Sequence, residues 1–223
     1  MKLQDVFDQL SVGEFSQISI GGEAAGVINE CNQDKVVQHL NLGLTAIYKR
    51  FNLREGRLRF TLDTTADTYA VQAADLLKIE RVMTDDGTEL TLNDYNDPYS
   101  CFTPSMNSIR LSPAIASQNE SIPDCYKTQG LTVVYRANHP KVTGSFGYID
   151  PEMIELELPE SHLMALLYFL ASRAHNPIGM SAEFNAGNIW YAKYEAECQD
   201  LENKGLQVQE TEQANRLHRN GWV

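Results

Sequence analysis

The chain has 223 residues and a formal net charge of −12, from 18 Lys+Arg against 30 Asp+Glu. With 43% hydrophobic residues it is too apolar to be disordered throughout, and its length allows one large domain or two small ones. The acidity excludes a protein that grips nucleic-acid phosphates along a basic face.

The N-terminal MKLQDVFDQL lacks the apolar stretch of a signal peptide. No run reaches the roughly 18–20 apolar residues of a membrane span, so no membrane partner is expected. The most apolar run, residues 163–171 (LMALLYFLA), reads as a buried helix.

Three zones follow in chain order. In the first, Leu3, Val6, Phe7 and Leu10 have helical spacing. An alternating stretch, residues 15–20, and the glycine-rich GGEAAG, residues 21–26, come next. A long helix is then predicted over residues 32–51, with Val36, Val37, Leu40, Leu44, Ile47, Tyr48 and Phe51 on one stripe. Lys49 and Arg50 sit in its last turn, where cations suit the helix dipole.

The second zone is β-rich. Residues 57–62 (RLRFTL) alternate, and residues 76–92 read as a hairpin around Asp86-Gly87. Strands are also predicted over 107–113, 130–137 (GLTVVYRA) and 152–158 (EMIELEL), the last with Ile154, Leu156 and Leu158 inward and Glu155 and Glu157 outward. Residues 94–104 and 114–125 read as long polar loops.

The third zone returns to helix. Pro159 is suited to a first turn, and the helix it opens should stop at Asn176-Pro177. Ser181 can cap a further helix that ends at Lys204-Gly205. The order predicts an α+β fold: a helical bundle from residues 1–52 and 159–205, an antiparallel β domain inserted as residues 53–158, and an extended C-terminal arm, residues 206–223.

Chemistry-bearing motifs are sparse. GxSxG, GxxxxGK[ST], HExxH and GxGxxG do not occur. Residues 21–26 follow no parallel βαβ pattern and read as a turn. His39, His139, His162, His175 and His218 are scattered, and read as surface or helix-terminal residues. Cys31, Cys101, Cys125 and Cys198 show no CxxC spacing, which argues against zinc. Four free thiols are expected, with a Cys101–Cys125 bridge as the alternative. No catalytic residue, metal or cofactor is assigned.

Carboxylates crowd the last predicted strand and helices: Glu152, Glu155, Glu157, Glu160, Glu183, Glu195, Glu197, Asp200 and Glu202, against Arg173, Lys193 and Lys204. Such a surface is either a solvated face or a wall that duplex DNA slides past without counterion-release binding. The tail carries Arg216, His218, Arg219 and Trp222 after a polar run. Trp and Arg are typical interface anchors, so this tail is expected to contact a partner.

Residues 131–140 (LTVVYRANHP), 154–179 (IELELPESHLMALLYFLASRAHNPIG) and 185–198 (NAGNIWYAKYEAEC) resemble the head-to-tail adaptor (connector, collar) proteins of tailed bacteriophages, notably the short-tailed ones. The matching features are Tyr135 to Pro140, Leu158-Pro159, the apolar helix Leu163 to Arg173 and, more loosely, Tyr194-Glu195. They are packing motifs. The resemblance implies a non-enzymatic structural virion protein of the phage neck, assembled in the host cytoplasm. It implies a homo-oligomeric ring of about twelve copies that joins the portal protein to a tail tube or nozzle and surrounds transiently passing double-stranded DNA. On that reading Arg216, Leu217, His218, Arg219 and Trp222 dock the portal, and Glu183, Glu195, Glu197, Asp200 and Glu202 face the DNA channel. Alternatives are another neck or tail-completion protein, or a small-molecule binder or enzyme without a recognisable motif.

Overall fold

A computed structural model describes residues 1–16, 24–63, 66–117, 122–143, 149–175 and 181–206, except the side chains of Cys31 and residues 181–185. The expected stretch 15–20, most of the glycine-rich segment, the Ser181 cap, Glu183 and the whole tail including Arg216, Leu217, His218, Arg219 and Trp222 lie wholly or partly outside that description. The fold is α+β, with helices and antiparallel sheets. Two compact units divide the chain: Met1–Asn52 with His139–Val223, and Leu53–Asn138.

The first unit is helical. α1 (Leu3–Val12) buries Leu3, Val6, Phe7 and Leu10, and Asp5 accepts the Lys2 N–H at its entry. α2 (Glu30–Arg50) begins with the Asn32 side chain accepting the Asn29 N–H at 2.8 Å. Its predicted stripe is buried from Val36 to Phe51. α4 (Leu163–Ala174) follows Pro159 through one 3₁₀ turn, Glu160–His162. It packs on α2 and on α5 (Ser181–Asn203). Gly43 lets α2 approach α4, since a Cβ there would lie 2.8 Å from Phe169 Cδ1 and 2.9 Å from Leu166 Cδ1. α5 stops on Gly205 at φ +65°, with Gly205 N–H on the Glu202 carbonyl and Leu206 N–H on the Leu201 carbonyl. The helix thus ends where Lys204-Gly205 predicts, and the pair of bonds is a Schellman arrangement.

The expected strand over 152–158 is a correction. Its alternation is real, with Leu156 and Leu158 buried and Glu155 and Glu157 exposed. Yet it joins no sheet and makes one isolated bridge, Lys2 to Glu155, flanked by Leu3 N–H on the Ile154 carbonyl and Leu156 N–H on the Met1 carbonyl. The Tyr48 hydroxyl donates to the Glu157 carbonyl. A period of two reports one buried face, and here helices of the first unit cover it. Residues 139–158 accordingly cluster with the helical unit.

The second unit holds two antiparallel sheets. One has the order β1 (Glu55–Thr61), β7 (Gly130–Ala137), β3 (Leu76–Thr84), β4 (Glu89–Leu90). The other has the order β2 (Thr68–Ala70), β6 (Ser108–Leu111), β5 (Cys101–Ser105). A common core includes Val82, Leu90, Ile109, Ile115, Leu131 and Val133. The predicted hairpin joins β3 to β4, with Gly87 at φ +82° and Thr84 N–H on the Thr88 carbonyl. This is a three-residue loop closed by a left-handed glycine.

The polar segment 94–104 is also corrected. Its second half is β5, paired with β6 through Cys101↔Leu111 and Phe102↔Arg110, with an irregularity before Ser105. Pro104 cannot donate to a ladder, and it sits at that irregularity. Within 114–125, a short helix α3 (Pro113–Ser117) starts on Ser112, whose hydroxyl accepts the Ile115 N–H at 3.4 Å.

Candidate functional site

The most developed polar constellation joins the C-terminal turn of α2 to α5. Arg50 Nε donates to Glu202 Oε1 at 2.5 Å, Nη2 to Glu202 Oε2 at 3.2 Å and Nη1 to Glu195 Oε2 at 2.7 Å. Glu195 and Glu202 are seven residues apart, so two helical turns bring them onto one side of α5. The guanidinium fork suits two carboxylates at once. Hydrogen bonding from Arg50 lowers the Glu202 carboxyl below its ordinary value against the opposing effect of burial, and the same bond chiefly raises Arg50.

The other flank of α5 is aromatic. Lys193 Nζ lies 3.8 Å from the Trp190 ring centroid, and Trp190 lies 5.7 Å from Tyr168 on α4. Burial, then the charges of Glu197 and Glu14, push the Tyr168 phenol up. Tyr194 sits edge-on to Phe169 at 5.4 Å, and burial raises its phenol. The segment NAGNIWYAKYEAEC thus supplies packing between two helices.

Of the five carboxylates expected to share a face, the Glu183 side chain lies outside the description, and the other four have different partners. Glu195 and Glu202 are held by Arg50, and Asp200 meets Lys204 at 2.5 Å. Glu197 is half-buried and forms no ion pair among the described residues. Between these flanks, Ile189, Ala192, Ala196, Gln199 and Asn203 are exposed and uncharged. Sequence reading missed the Arg50 clamp. It assigned Arg50 to the helix dipole, and its partners lie 145 and 152 residues away.

The YRANHP segment runs from the second unit into the first. The Tyr135 ring lies over Gly56, where a Cβ would collide with it, and its hydroxyl donates to Asp75 Oδ1 at 3.1 Å. Ala137 N–H bonds the Arg54 carbonyl and Asn138 N–H the Asp75 carbonyl. His139 is buried, with Nδ1 2.8 Å from the Pro140 carbonyl and Nε2 3.1 Å from the Asn41 carbonyl. The Asn41 amide both donates to and accepts from the Val142 main chain at 2.9 Å.

A model of the family described as SU10 adaptor protein matches residues 19–219. The chain belongs to that family. It is therefore a structural adaptor of bacteriophage type. No curated protein matches it. A solved chain titled "Virion of native gene transfer agent (GTA) particle" is similar at 15% identity, covering 85% of this chain and 88% of that one, with a TM-score of 0.28.

The expectation of surface or helix-terminal histidines is corrected for His139, which is buried in the segment after β7; His162, buried, and His175, half-buried, do stand at the two ends of α4, His39 is half-buried within α2, and His218 lies outside the described residues. Cys101 is buried, Cys125 exposed and Cys198 buried, all as free thiols. Burial pushes the Cys101 thiol up to about 12. Among the described residues, no group of three His, Cys, Asp or Glu gathers as a metal site, and no helix is long and apolar enough to cross a membrane. A notch between α4 and α5 is lined by Phe169, Ser172, Arg173, Gly187, Asn188 and Tyr191, with Arg173 and Tyr191 as its titratable groups.

Proposed function

We propose that this chain is a head-to-tail adaptor of a tailed phage, of the short-tailed type. Copies form a ring, of about twelve on the pattern its family resemblance implies, that joins portal to tail tube or nozzle and encircles the DNA channel. It is a component of the virion neck, assembled in the host cytoplasm. The observation that carries the reading is membership of an adaptor family over residues 19–219.

Charge and surface support it. A net charge of −12 suits a protein that surrounds passing DNA without holding it. Glu183, Glu195, Glu197, Asp200 and Glu202 are assigned to the channel side. The uncharged stripe on α5 offers copies a surface that can be covered without desolvating charge. The tail residues Arg216, Leu217, His218, Arg219 and Trp222 are assigned to the portal, because an aromatic and arginine-bearing arm can cover much partner surface.

Co-sedimentation with assembled portal tests the docking role. The full chain is expected to bind and a chain ending at Val208 to fail while melting at the same temperature. Equal binding by the shortened chain would remove the arm from docking. Trp222→Ala should weaken attachment by at least about 2 kcal/mol.

A further inference from the structure

Among the described residues of this acidic chain, cations gather on a sheet face. The outer face of the four-stranded sheet, opposite its core side, brings together Arg57 and Arg59 of β1, Arg136 of β7, and Lys78 and Arg81 of β3. Arg57 and Arg81 both lie opposite Val134, and Glu55 and Lys78 both lie opposite Arg136. These five are drawn from 18 Lys+Arg in the whole chain. Three carboxylates share the face among the described residues: Glu55 meets Arg81 at 3.3 Å, Glu80 meets Arg136 and Lys78 at 2.8 Å, and Glu89 of β4 lies opposite Met83, at the margin away from β1. At the rim Asp85 reaches Arg59, whose side chain remains 72% exposed. Arg57 is exposed and has no ion-pair partner among the described residues. Since β1 is an edge strand, its arginines also border an open sheet margin.

The complementary feature lies in the helical unit. Between Lys141 and Arg173 the sequence contains no Lys or Arg. Asp150, Glu152, Glu155, Glu157 and Glu160 are all exposed there, and Glu152, Glu155 and Glu160 form no ion pair among the described residues. Near Glu155 the backbone is extended and bridged to Lys2, so the charges are displayed on a fixed ribbon. Glu155 and Glu157 repeat at the two-residue period of an extended chain, as Arg57 and Arg59 do on β1, roughly 6–7 Å per repeat.

We infer that the outer face of the β1–β7–β3 sheet receives the carboxylate ribbon at residues 150–160 of a second copy of this chain. This rests on the ring reading above and names a contact within it. A cationic patch on one unit and an anionic ribbon on the other make a heterologous pair, the kind of contact that propagates from copy to copy until a ring closes. Opposite potentials steer the encounter and fix its register.

Two full-length variants test it: Arg57→Glu with Arg59→Glu, and Glu152→Lys with Glu155→Lys. All four positions are exposed, and circular dichroism and melting verify the fold of each. Self-association is followed by sedimentation velocity at low and high salt. The parent chain is expected to associate at low salt and less at high salt. Each variant alone should associate at least tenfold more weakly, and an equimolar mixture should restore association, because each reversed surface then meets an opposite one. A variant that associates like the parent, or a mixture that restores nothing, overturns the inference. So does loss of duplex-DNA retention by the arginine variant without restoration on mixing, which would give the face to phosphate. A parent chain monomeric throughout overturns this contact while leaving ring formation on a portal to be judged by co-sedimentation.

Discussion

Arg50 and Glu202 close the ends of α2 and α5 onto one another through two parallel N–H to carboxylate bonds, at 2.5 and 3.2 Å. The pair is half-buried, with side chains 25% and 30% exposed, and Glu195 occupies the remaining guanidinium edge. Because several charges share one rigid fork, less side-chain freedom is lost per bond than in an isolated surface pair.

Arg50→Ala is therefore expected to lower stability by about 1–2 kcal/mol, and Arg50→Lys to recover part of it. Urea unfolding checks both. Glu202 has a lowered carboxyl in the folded chain, so its contribution is present above the unfolded carboxylate value and lost as pH falls through the folded one. Glu202→Gln should flatten the loss of stability below about pH 4.

His162 predicts a second pH dependence at higher pH. The ring is buried against Phe51 at 4.7 Å, Nδ1 meets the Ser161 hydroxyl, and Nε2 is buried without a partner among the described residues. Burial lowers its folded value, so the unfolded chain binds the proton more readily. Stability is full above about pH 6.5 and falls below it. His39 titrates in the same sense, through burial and then the charge of Arg173. Thermal melting between pH 7.5 and 5 should show the decline, and His162→Leu should reduce its slope.

Gly43 is a packing glycine inside a helix. Gly43→Val is expected to cost about 1–3 kcal/mol, because the added atoms meet Phe169 and Leu166. An unchanged melting temperature would mean that α2 and α4 can separate without loss.

Thiol reactivity should follow exposure. In the native chain Cys125 is expected to alkylate quickly, while Cys101, buried with its thiol pushed up to about 12, and buried Cys198 stay protected. Mass spectrometry of labelled peptides reads this directly.

Much of the fold is legible in the sequence where the signal is local. The α2 stripe, the Asp86-Gly87 hairpin, the strand at 130–137 and the Gly205 stop each depend on neighbours within a few residues. Residues 152–158 show the limit, because alternation gives a buried face but not the identity of what covers it. β5 was hidden by Pro104 and its polar neighbours, since an edge strand tolerates a residue without an N–H. The Arg50 clamp was hidden by sequence distance. Counting carboxylates along α5 likewise does not reveal that Arg50 and Lys204 hold three of them.

As proposed, this adaptor forms a ring between portal and tail. A cryo-electron microscopy map of the intact particle is the decisive measurement. The map is expected to show a closed ring of this chain at the neck, around the DNA, with the carboxylates of α5 toward the lumen. Finding the chain elsewhere in the particle, or absent from it, would rule out that ring.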